Sequence, residues 1–193
     1  MGETTGTKSA AETIAGVAEL SDEALALLQP DLNPRSFVER MTEGKLYRDA
    51  VQFLAHALPK REAVWWAWVA ARRASGASPP PKIAAALTAV ENWISQPSDE
   101  NRRTARALGE KAEFRTPAGC VGLAVFLSGG SLAAPGAPEV PPGEYLSAKM
   151  VAGAVVVSAL ATEPEKGPEK FQNFISQGLE VARRIKLWEP KQG

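Results

Sequence analysis

Nine consecutive apolar residues, Ala63-Val64-Trp65-Trp66-Ala67-Trp68-Val69-Ala70-Ala71, hold three of the five tryptophans between the charged flanks Lys60-Arg61-Glu62 and Arg72-Arg73. On a helix turning about 100° per residue, with Trp65 at roughly 0°, Trp68 falls at about −60° and Trp66 at about +100°. No single stripe holds all three indoles. A helix apolar around its whole circumference belongs at the centre of a fold, which makes this segment the expected core helix of an all-α protein. The functional alternative is that one indole, Trp66 as the one furthest round, lines a groove for a partner.

The surrounding punctuation is helical. Ser21 before Asp22-Glu23, Asn33-Pro34, Ser98 before Asp99-Glu100 and Thr116-Pro117 are N-terminal caps, and Gly44 is a C-terminal stop. Pro59 is placed to open the tryptophan helix as its first residue. Leu46, Ala50, Phe53, Leu54 and Ala57 keep helical spacing, as do Ile83, Leu87, Val90 and Ile94, with Trp93 beside them. The segment 101–112 is weakly apolar, anchored by Leu108, and is expected on the outside. Val121–Leu127 could be a buried strand by its length, but its helical neighbours favour helix, and Gly119 and Gly122 would let another backbone approach closely. Residues 144–162 and the segment from Pro168, with Phe171, Phe174, Ile175, Ala182 and Ile185, complete the pattern. The expected fold is an all-α bundle of seven to nine short helices centred on the tryptophan helix and the apolar helices 118–127 and 146–161.

The sharpest change of composition lies at 128–143, where eight of 16 residues are glycine or proline. Loops of this length inside a domain tend to be functional or disordered. The expected organisation is a disordered leader at 1–12 with no signal-peptide order, one helical domain at 13–189 and a flexible tail at 190–193.

Lysine and arginine balance aspartate and glutamate at 22 each, which argues against a nucleic-acid or anionic-membrane partner. The arginine clusters, Arg102-Arg103-Arg106 among them, read as solvated faces. Cys120, the single cysteine, sits among Gly119, Val121 and Gly122 as a small packed residue. His56, the single histidine, falls on a polar face beside Lys45, Asp49 and Gln52 as an exposed bystander. No metal-ligand spacing, phosphate loop or cofactor motif is present, so no cofactor and no metal are expected. Two places carry functional candidates. Ser128-Gly129-Gly130-Ser131 could offer backbone N–H groups to an anion, although flexible C-capping is the simpler role. Arg61 and Glu62, with Trp65 and Trp66, could form a charged lip on an aromatic pocket.

Leu58-Pro59-Lys60-Arg61-Glu62-Ala63-Val64-Trp65-Trp66-Ala67, preceded by Leu20-Ser21-Asp22-Glu23-Ala24, Pro34-Arg35-Ser36-Phe37 and Leu46-Tyr47-Arg48-Asp49-Ala50, resembles an uncharacterised bacterial family of about this length. Gly122-Leu123-Ala124-Val125-Phe126-Leu127-Ser128-Gly129-Gly130-Ser131-Leu132 is similar to its second hallmark. The resemblance covers most of residues 20–160 and brings no activity and no catalytic residues. It implies a helical cytoplasmic accessory protein, associated in some members with phage-tail-like secretion systems. The leading expectation is therefore a non-enzymatic interaction or adaptor module with a protein partner, using the Gly/Pro-rich loop and the Arg61/Trp66 end. The rival is a small-molecule or enzymatic pocket there, with Arg61 binding an anion and Glu62 as acid or base.

Overall fold

A computed structural model describes residues 8–189. Among these residues the chain forms ten α-helices and one 3-10 turn, with no strand. The helices are α1 (Ala10–Ala15), α2 (Asp22–Leu25), α3 (Pro34–Glu43), α4 (Tyr47–Ala57), α5 (Lys60–Ala74), α6 (Pro81–Ser95), α7 (Asp99–Lys111), α8 (Pro117–Phe126), α9 (Leu146–Leu160) and α10 (Gly167–Arg184). Eight of them run for 10 to 18 residues, and α1 and α2 are shorter.

The caps act as their chemistry dictates. The side chains of Ser21, Asn33, Ser98 and Thr116 each accept a backbone N–H of the helix that follows. Pro59 stands one place earlier than expected, as the N-cap of α5. The N-terminal boundary also moves. Ser9 and Glu12 form a reciprocal capping box at the start of α1, and Ala11 is fully buried, so residues 10–12 are ordered helix rather than leader. The rest of that expected leader through residue 7, and the expected tail at 190–193, lie outside the described residues.

Helix α5 is central, with α6, α8, α9 and α10 packed around it, and α8 and α9 also pack on each other. The Val121–Leu127 stretch resolves as helix: α8 buries Ala118, Val121, Ala124, Val125 and Phe126. Its glycines serve the expected purpose. A Cβ on Gly119 would sit 2.1 Å from the Glu113 carbonyl oxygen, and one on Gly122 would sit 2.6 Å from that of Ala105. Small residues therefore bring α7 and α8 into backbone contact. Leu108 is only half-buried, and the buried side of α7 consists of Arg102, Ala105 and Gly109. At the opposite side α3 and α4 join through Phe37 edge-on to Phe53, with ring centroids 5.2 Å apart. Tyr47 of α4 stacks on Phe171 of α10.

Among the described residues no single helix is long and apolar enough to cross a membrane. The most apolar long helix, α9, spends its apolar surface on α4, α5, α8 and α10.

Candidate functional site

The Gly/Pro-rich segment after α8 is held in place by side chains that the sequence pattern assigned to solvent. Arg102 lies on the same side of α7 as Ala105 and Gly109, three and seven residues on, and is only 4% exposed. Its guanidinium donates through Nη1 to the Phe126 carbonyl at 2.7 Å and through Nη2 to the Ser131 carbonyl at 2.8 Å. It also lies 4.7 Å from the centre of the Phe126 ring, which Arg106 approaches to 4.6 Å. Arg103 donates to the carbonyls of Ser131 and Ala133 at 3.2 and 3.0 Å. Asp99, one turn earlier, accepts from both arginines, and these hydrogen bonds lower its carboxyl pKa. A planar donor fork suits this task because it reaches several carbonyls at fixed angles.

The loop closes on itself as well. Ser131 Oγ accepts the N–H groups of Ala133 and Val140 at 3.1 and 3.0 Å, and Leu132 donates to the Val140 carbonyl at 2.8 Å. Gly130 has φ +64°, and a Cβ there would stand 2.9 Å from Arg102 Nη2. Glycine takes the left-handed backbone without a steric penalty and leaves the guanidinium its place. Ser128 donates its hydroxyl to the Val125 carbonyl. Within the Ser128-Gly129-Gly130-Ser131 group, the Ser131 carbonyl is held by Arg102 and Arg103 and the Ser131 hydroxyl is committed to closing the loop, so its last residue is fixed.

The aromatic lip at the start of α5 does not form. Trp66 is fully buried, donates Nε1–H to the Phe174 carbonyl of α10 at 2.8 Å, and packs against Gly178, so it cannot line a groove. Arg61 donates to the carbonyl of Ile94, in the last turn of α6, at 2.7 Å. A cation at a helix C-terminus offsets the exposed carbonyls there. Glu62 is half-buried in the first turn of α5, and Trp65 is 38% exposed. Trp68, on the Trp65 side, donates to the Leu87 carbonyl and carries Arg72 over its ring.

A cleft of about 140 Å³ is lined by His56 of α4, Lys60 and Ala63 of α5, and Glu144, Tyr145 and Ser147 at the start of α9. His56 is not an exposed bystander. Its Nδ1–H donates to the Gln52 carbonyl at 2.8 Å, which fixes the tautomer. The Nε2 atom is buried with no hydrogen-bond partner among the described residues. Burial lowers the imidazole pKa, against the opposing effect of the Gln52 carbonyl. Tyr145 packs on the imidazole with ring centroids 5.8 Å apart, and Ser147 donates to the Ala124 carbonyl of α8 at 2.9 Å. The loop is therefore anchored at both ends, by Arg102 and Arg103 at its start and by Tyr145 and Ser147 at its exit.

Cys120 follows expectation: it is buried, donates to the Phe114 carbonyl, and burial raises its thiol pKa. Among the described residues no group of three or more His, Cys, Asp or Glu side chains is arranged to hold a metal ion.

The arrangement can present a surface. Val140 is 50% exposed and Leu146 is 41% exposed, with Tyr145 partly exposed between them in sequence. No curated protein and no solved structure matches this chain. A family model does match over residues 37–182, spanning both the tryptophan helix and the anchored loop, and the chain belongs to that family, DUF6931, a family of unknown function.

Proposed function

We propose that this chain is a non-enzymatic adaptor of the bacterial cytoplasm whose binding surface is the outer side of segment 131–146. The observation that carries this reading is the anchoring of a non-helical loop by a buried arginine, with Val140 and Leu146 left facing solvent. A loop fixed before binding loses little conformational entropy when a partner docks, and rigidly presented loops are where binding residues concentrate. The resemblance to proteins associated with phage-tail-like secretion systems supports an accessory role beside such an apparatus. A ligand pocket formed by Arg61, Glu62 and Trp66 is disfavoured, because Trp66 is sealed in the core and Arg61 is held by α6.

The test is a photoreactive amino acid placed at position 146 in the cells of origin, with a matched control at the exposed Thr88. A protein crosslinked from 146 and not from 88, and lost when Val140→Asp is added without a change in melting, supports the reading. Equal labelling from both positions, or none from 146, refutes it.

A further inference from the structure

We infer, resting on the surface just proposed, that Pro138–Gly143 is a preformed polyproline II ligand and that the partner receives it in a groove walled by aromatic side chains and rimmed by basic ones. The backbone is constrained from the sequence upward. Proline fixes φ near −65° at 138, 141 and 142, and a following proline drives Ala137, Val140 and Pro141 into extended conformations. Of residues 137–142 only Glu139 escapes both constraints. In the structure residues 138–143 contain no helix, turn or bend, whereas Gly136, with φ +84°, ends any continuation toward Pro135.

Exposure then selects the face. With three residues per turn, Pro138 and Pro141 share one edge, Glu139 and Pro142 a second, and Val140 and Gly143 a third. Pro142 is half-buried, and every other residue of the six is exposed. Pro142 alone leans on the protein, so the Pro138/Pro141 edge, Glu139 and Val140 are presented outward.

Hydrogen bonding rules out the other common way of binding an extended segment, pairing with a sheet edge. Three of the six residues are prolines and lack an N–H. The Val140 N–H is held by Ser131 Oγ, and its carbonyl accepts from Leu132. What the segment offers is proline rings and the strongly accepting carbonyls beside them, which aromatic walls with indole or phenol donors recognise. Glu139 and Glu144 are the only charged residues between Arg115 and Lys149, and Lys149 is paired with Glu19. The arginines that reach the loop, Arg102 and Arg103, are both paired with Asp99, so the segment presents net negative charge and the complementary rim is cationic.

The experiment uses the protein crosslinked to the photoreactive residue at position 146. Full-length wild type, Val140→Asp, Glu139→Lys and the double variant Pro138→Ala/Pro141→Ala are compared for binding to it after purification. Amide exchange at Leu132 verifies that the loop stays closed in each. The inference expects at least a tenfold loss of affinity in the double alanine variant and a further loss on Glu139→Lys. It also expects the crosslinked partner peptide to contain tryptophan or tyrosine. A double alanine variant that binds like wild type, while Val140→Asp does not, overturns the polyproline assignment and leaves the adaptor reading standing. No partner crosslinked at 146 overturns both.

Discussion

Replacing Arg102 with methionine keeps an unbranched, largely apolar stem in the buried stripe and removes the guanidinium with all its donors. Among the described residues Arg102 is the sole donor to the Phe126 carbonyl, so the variant leaves a buried acceptor at the end of α8 without a partner. A hydrogen bond from a charged group contributes about 1.5–3 kcal/mol, and the Ser131 carbonyl, which keeps Arg103, loses about 1 kcal/mol. The cation–π contact with Phe126 adds about 0.5–1 kcal/mol. Asp99 is well exposed and retains Arg103, so its ion pair contributes little. The expected loss is about 3–5 kcal/mol, a large fraction of the ~5–15 kcal/mol that holds an ordinary domain together. Urea unfolding followed by far-UV circular dichroism measures it. Amide exchange at Leu132 and Val140 reports the loop itself, because both N–H groups are bonded only while the loop is closed. Arg102→Lys keeps the charge without the fork and should fall between the two. A methionine variant within about 1 kcal/mol of wild type, with both amides as protected as before, would refute the reasoning.

Trp66→Ala should cost about 3–5 kcal/mol, as emptying a core aromatic site does, and should shift the urea midpoint accordingly; a variant that melts like wild type would return Trp66 to the surface. Gly119→Ala should lose about 2 kcal/mol or more, since the obstacle at 2.1 Å is backbone, whereas Gly153→Ala, with nothing within 4 Å, should gain up to about 1 kcal/mol in melting experiments. His56 titrates below its usual 6.5 in the folded protein, so on acidification the unfolded chain takes up the proton first. Its contribution to stability is fully present above pH 6.5 and is lost as pH falls through the folded value. His56→Gln should flatten unfolding free energy against pH in that window, and an unchanged slope would refute the assignment.

Much of the architecture was legible because it depends on local chemistry. Cap residues, proline positions and the apolar content of α5, α8 and α9 all act within one or two turns, and the glycines of α8 announce a close backbone contact whatever the partner. The direction in which α5 faces the core was not legible from its tryptophans, which spread around the helix. It was written in the alanines. With Ala63 at roughly 0°, Trp66, Ala67, Ala70 and Ala71 fall between about −60° and +80°, while Arg61, Trp65, Trp68 and Arg72 gather between about 140° and 200°. The second stripe lies on the side that bonds to carbonyls of α6. Small residues mark the close approach of neighbours more faithfully than large ones do.

The anchored loop was located by composition, but its anchors were not. Arg102 reads as one charge among several until its register with Ala105 and Gly109 is taken as a buried stripe. The carbonyls it serves lie 24 and 29 residues along the chain, beyond any local pattern. His56 was missed for the same reason: its own helix face is polar, and the ring is covered by Tyr145 from a distant segment.

Backbone ¹⁵N order parameters across residues 131–143 test the central claim most directly, that this segment is a fixed surface and not a slack connection. The account predicts values near 0.85 at Leu132, Ala133 and Val140, level with the helices. Values below about 0.6 at these positions would contradict it.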